Sequence, residues 1–184
     1  MPVQIKHLDF RFENGLVKAV ANRNCPETKL AGLTVGPFEE GNEYEIFFWV
    51  AEKLAEAGII HFREENRFGA TELYKVQWKE RVQVAGQISE LPEDFYPKLR
   101  RYLKETKKEA TQLEKMQEHE KSKQLACDIV NSRLRKIIAL SSGPAQVDQL
   151  TKRMAKEERL IYDQLEKLIT HWRNRILQYE EGEQ

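Results

Sequence analysis

The sequence predicts an α+β protein, a small β-rich N-terminal module followed by a mainly α-helical bundle domain. Short apolar runs fill the first half, broken by Asn14-Gly15, Gly32, Gly36 and Gly58. From Glu93 to Gln178 there are one glycine and two prolines, and apolar residues recur in steps of three and four, the spacing of packed helices. Between the two textures lies "VAGQISELPEDF", punctuated by Gly86 and Pro92. Domains are therefore expected at residues 1–85 and 86–184.

In the first module, "IKHLDFRF" alternates loosely and reads as a strand. Asn14-Gly15 tolerates positive φ at both turn positions, which predicts a two-residue hairpin into "LVKAVAN". "KLAGLTVG" supplies another short strand before Pro37. Asn42, with Glu45 three residues on, has the form of a capping box, so a helix is expected over 43–57. Gly58 closes it as a left-handed residue just past the last turn. "IIHF" gives a strand, "ENRFG" a turn, and "ATELYKVQWKERVQ" a helix.

The helical half holds three long elements. Phe95, Leu99, Tyr102, Leu103, Thr106, Ala110 and Leu113 track one face of the first. Leu125, Ile129, Val130, Leu134, Ile137 and Ile138 track the second, which stops at Ser141-Ser142-Gly143-Pro144. The third is expected to be the longest, running through Val147, Leu150, Met154, Ile161, Leu165, Leu168, Trp172, Ile176 and Tyr179. One step of seven interrupts it, across Glu157-Glu158.

Composition narrows the function classes. With 40% hydrophobic and 33% charged residues, the chain can fold while keeping much solvated surface. Net charge is zero: 11 Lys/Arg stand against 14 Asp/Glu through Glu90, and 19 against 16 after it. That mild asymmetry argues against a protein that coats nucleic acid, which needs a strong basic field. No apolar run approaches the roughly 18–20 residues of a membrane span, and "MPVQIKHLDF" has no signal-peptide character. Cys25 and Cys127 are far apart and read as reduced thiols of an intracellular protein.

Chemistry-bearing constellations are missing from the sequence. His7, His61, His119 and His171 are scattered, with no ligand spacing to one another or to cysteine. There is no dinucleotide or phosphate loop and no nucleophile elbow. Glu39-Glu40, Glu64-Glu65 and Glu157-Glu158 are flat doublets of solvated faces. No catalytic residue, metal site or cofactor is nominated, and the chain reads as a non-enzyme.

Two other features stand out. Phe47, Phe48 and Trp49 are consecutive, so on a helix they point about 100° apart and cannot share one core face. With Ala51 and Leu54 they form either the module's core or a docking spot. Arg133, Arg135 and Lys136 lie on one helix and could meet DNA phosphate, although such cations usually form a solvated or salt-bridged rim.

Three segments together resemble the GINS family. In "GPFEEGNEYEIFFWVAEKLAEAGII", Gly36, Pro37, Phe38 and Gly41 are similar to a family turn, and Trp49, Ala51 and Leu54 to the helix core that follows it. "LPEDFYPKLRRYL" resembles the segment that leads into the family's helical domain, and "DIVNSRLRKIIALSS" its central Arg-x-x-Lys-Ile helix. They occur in the family's order, and the β module stands first, as in the class related to the second and third eukaryotic partners. A single chain serving that class is the archaeal arrangement.

The resemblance implies a non-enzymatic scaffold of DNA replication, cytoplasmic and nucleoid-associated. The expected partners are an α-first GINS subunit in a 2:2 tetramer, the MCM helicase, a Cdc45 or RecJ-like protein, and DNA polymerase or primase. On this reading Leu125, Ile129, Leu134, Ile138, Leu165, Leu168 and Trp172 carry subunit association. The alternative is a DNA-binding helical module using Arg133, Arg135 and Lys136.

Overall fold

A computed structural model describes residues 2–30, 32–63, 68–82, 87–143 and 151–177. It divides into two units, Pro2–Phe68 and Gly69–Gln184. The division falls before the helix at Ala70–Val82, which belongs with the helical unit, instead of after residue 85.

The N-terminal unit opens with helix α1 (Pro2–Glu13), where a strand was expected. Its half-buried residues, Ile5, Leu8, Asp9, Phe12 and Glu13, are spaced by three, one, three and one, so the helical period overrides the loose alternation. Asn14 and Gly15 then close a helix and make no hairpin. Their amides donate to the Phe10 and Phe12 carbonyls at 3.0 and 3.1 Å, and Asn14 Nδ2 donates to the Phe10 carbonyl at 2.9 Å.

Strands β1 (Leu16–Ala21), β4 (Glu43–Phe47) and β5 (Ile60–Phe62) form an antiparallel sheet in the order β4-β1-β5. Strands β2 (Thr28–Leu30) and β3 (Leu33–Val35) pair as a separate hairpin, with Gly32 at φ +83° in its turn. In β4, Tyr44 and Ile46 point to the core while Glu43, Glu45 and Phe47 are exposed.

That alternation corrects the capping-box expectation. Helix α2 starts at Phe48 and ends at Glu56, and the preceding five residues are strand. Asn42 Nδ2 donates to Glu39 Oε2 at 3.0 Å, in the turn before β4, and the Asn42 carbonyl accepts from Ala21. Pairing with β1 thus outcompetes a local cap. The end of the helix is as expected, with Gly58 at φ +68°. Val50, Ala51 and Leu54 of α2 pack on Ala19, Ala21, Val35, Phe38 and Ile60, the core of the unit.

In the helical unit, α3 (Ala70–Val82), α4 (Phe95–Glu109) and α6 (Lys156–Leu177) each pack on α5 (Leu113–Ser141). At 29 residues, α5 is about 44 Å long. It buries His119, Ser122, Ala126, Ile129, Arg133, Ile137 and Ser141, one residue per turn. At one end Ile88, Ile137, Met154 and Tyr162 form an apolar core, with Leu140, Ile161 and Leu165 against it.

The last helix is shorter than expected, 22 residues against the 29 of α5. Met154 lies in a turn ahead of it, its amide donating to the Thr151 carbonyl at 3.2 Å. The step of seven is therefore a helix start, because α6 begins at Lys156. Glu158 Oε2 accepts from the Ala155 amide at 2.9 Å, the backward reach of an acidic residue in a first helical turn. Val147, Leu150 and Tyr179 lie outside the described residues.

Candidate subunit interface

The helical unit buries a charge where α5 would be expected to bury an aliphatic side chain. Arg133 has 0% exposure, and two acidic residues from flanking helices meet it. Glu158 of α6 takes both Nε and Nη2, the second at 2.7 Å. Glu80 of α3 accepts from Nη1 at 2.5 Å, and the Ser89 carbonyl accepts from the same nitrogen at 2.9 Å. Lys136, one turn on, donates to Glu80 Oε2 at 2.6 Å and to the Glu80 carbonyl at 3.2 Å. Tyr96 of α4 donates to Glu158 Oε1 at 2.6 Å. Two cations and two carboxylates thus balance inside the bundle, and each of the four helices contributes at least one member.

The electrostatics follow from that balance. Burial works to raise the Glu80 carboxyl, but hydrogen bonds from Lys136 and Ser89 and the charges of Arg133 and Lys136 outweigh it. Glu80 is held below the usual carboxylate value. Burial, then the charge and hydrogen bond of Glu158, push the Tyr96 phenol upward. Burial disfavours the Arg133 cation, yet Glu158 and Glu80 more than compensate.

This overturns Arg133 as a phosphate contact, because its guanidinium is enclosed by Glu158, Glu80 and Ser89. Lys136 is likewise engaged by Glu80. Only Arg135 of the three is exposed; its Nε donates to the Asn131 carbonyl at 3.3 Å. Burial of Arg133 could have been suspected from its place on the apolar seam, in register with Ile129 and Ile137.

The hydrophobic residues nominated for association separate into inner and outer sets. Ile129 is buried, Leu125 is half-buried, and Leu165 packs against the apolar core. Half-buried Leu134 lies on α5 between exposed Val130 and Ile138, four residues away on each side. On α6, Leu168, Trp172 and Ile176 recur every four residues at 65%, 61% and 61% exposure. Helix α3 carries a further stripe absent from the sequence expectations: Tyr74, Trp78 and Val82 are exposed, while Leu73, Val76 and Glu80 face inward. Its signal was present in the sequence, since α3 has large apolar residues on two faces and one buried face can use only one set.

In the N-terminal unit, Ala51 and Leu54 are core residues and Trp49 packs against that core. Phe48 lies 4.7 Å from Phe12 and 5.5 Å from Phe62, measured between ring centroids. Phe47 precedes the helix and remains exposed on β4.

Among the described residues, no group of three His, Cys, Asp or Glu could hold a metal ion. No helix there is long and apolar enough to cross a membrane. Residues 64–177, more than half of the chain, match the family described as "GINS complex protein helical bundle domain" (Sld5). No curated protein matches the chain.

Proposed function

The chain belongs to the GINS family, and we propose that it is a β-first scaffold subunit, of archaeal type, working in DNA replication. The observation that carries this reading is the apolar surface left uncovered on the helical unit. Leu168, Trp172 and Ile176 form one exposed stripe, and Tyr74, Trp78 and Val82 form another. Large side chains recurring every four residues on helices are expensive to leave in water and usually mark association sites. An obligate interface of roughly 2,000 Å² or more would cover them.

The proposed partner is an α-first GINS subunit, in a 2:2 complex. Through that assembly the chain would join the MCM helicase to a Cdc45 or RecJ-like protein and reach polymerase or primase. Its contribution is position and rigidity, with α5 as the central rod and the Arg133 cluster fixing the helices around it. Outer residues Leu134, Ile138, Leu168 and Trp172 carry association in this proposal, and inner residues Ile129 and Leu165 support them from beneath.

Native mass spectrometry of the chain with and without an α-first subunit tests the assignment. A 2:2 species is expected on mixing; a chain that stays monomeric beside its partner overturns it.

A further inference from the structure

The cations of the helical unit are unevenly occupied. Two in the C-terminal half of α5 are consumed internally, because Arg133 and Lys136 neutralise Glu158 and Glu80. Helix α4 is different. Its 15 residues, "FYPKLRRYLKETKKE", hold six Lys/Arg and two Glu, a net charge of +4 in a chain whose total is zero. Phe95, Leu99 and the half-buried Tyr102, Leu103 and Thr106 occupy the face turned to the bundle. The helical period then sets Arg101, Lys104 and Lys108 on the opposite face, with Lys107 on its flank.

Lys104, Lys107 and Lys108 are exposed, and among the described residues none of them has an ion-pair partner. Of the two glutamates on α4, Glu109 is paired with Lys115 at 2.9 Å. Arg100, on the flank nearer α6, is paired with Glu157 at 3.1 Å. Arg101 and Glu105 also have partners, so the cations left without one, Lys104, Lys107 and Lys108, lie toward the C-terminal end of α4, where a helix terminus itself favours cations.

We propose that the outer face of α4, carried by Lys104, Lys107 and Lys108, binds nucleic acid through its phosphate backbone. From Lys104 to Lys108 the helix rises about 6 Å, and three flexible lysine side chains spread from that span can meet about three phosphates. The apolar stripes of α3 and α6 lack this surplus and suit protein partners. The face of α4 between Arg101 and Lys108 offers no large apolar side chain for a protein to bury. It reads charge alone, so contact there is independent of base sequence.

The test is fluorescence anisotropy of the full chain with labelled single-stranded and duplex oligonucleotides, from 50 to 200 mM salt. About three phosphate contacts give a log–log salt slope of about −2 to −3, shallower for the single strand. The triple variant Lys104→Gln/Lys107→Gln/Lys108→Gln is expected to bind about tenfold more weakly at the low-salt end, with a slope nearer zero. A charge-matched control, Lys6→Gln/Lys29→Gln/Lys167→Gln, is expected to bind like the parent. Absence of binding by the parent at 50 mM overturns the proposal, as does equal loss in both triple variants. It is also overturned if an acidic peptide of matched charge displaces the oligonucleotide as effectively as unlabelled DNA.

Discussion

Arg133 and Glu158 meet side to side, Nε on Oε1 and Nη2 on Oε2, with the second contact at 2.7 Å and both side chains almost fully buried. This fork ties α5 to the first turn of α6, and Nη1 of the same guanidinium ties α5 to Glu80 of α3. Removing one member leaves the others charged and dry. Arg133→Ala is therefore expected to destabilise the helical unit by about 3–5 kcal/mol, the usual cost of stranding a buried carboxylate. Urea denaturation followed by circular dichroism measures it, and a loss below about 1 kcal/mol would mean that water reaches the site.

The same cluster makes stability depend on acid. Glu80 has its carboxyl lowered in the folded chain. A lowered pKa contributes stability that is present above the unfolded value, about 4.3 for glutamate. It is lost as pH falls through the folded value. Melting temperature should fall as the buffer is taken below about pH 4.5, and Glu80→Gln should flatten that part of the profile. If parent and variant decline in parallel, Glu80 is not the group that couples protons to folding.

Much of the fold is legible in the sequence, and the failures share a cause. The helical half showed itself through steps of three and four, and the end of α5 at Ser141 through Gly143 and Pro144. Gly58 marked the end of α2. The errors at Asn14-Gly15 and at Asn42 with Glu45 came from local signals that long-range pairing overruled. Asn14 closes a helix because Phe12 finds Phe48, and residues 43–47 are strand because β1 pairs with them. In sequence Arg133 reads as a rim cation or DNA contact, although its spacing of four from Ile129 and Ile137 places it on their buried face. Its partners were not visible, because Glu80 and Glu158 lie 53 and 25 residues away in sequence.

Phe47 and Phe48, adjacent in sequence, have opposite fates that a pair of substitutions can separate. Phe48 meets Phe12 and Phe62 and fixes α1 against the start of α2. Phe48→Ala should cost the N-terminal unit about 2–3 kcal/mol, below the full core value because the ring is only half-buried. Phe47→Ala, at an exposed strand position, should change stability by no more than about 0.5 kcal/mol. Chemical denaturation of the two variants side by side checks the contrast. Equal losses would show that Phe47 is covered in solution.

The exposed stripes of α3 and α6 predict effects on assembly without effects on folding. Trp78 and Trp172 are 66% and 61% exposed, so Trp78→Glu and Trp172→Glu should each leave chain stability within about 0.5 kcal/mol of the parent. A buried charge at the centre of an interface costs far more, several kcal/mol for a well-packed aromatic anchor. In a closed 2:2 assembly each chain meets more than one neighbour, and separate stripes on two helices suit separate neighbours. Losing one stripe should therefore stop assembly at a dimer, and losing both should leave a monomer. Size-exclusion chromatography with light scattering, on the parent and each variant mixed with an α-first subunit, distinguishes these states. A full tetramer from the double variant would remove both stripes from the interface and leave Val130, Leu134 and Ile138 of α5 to carry it.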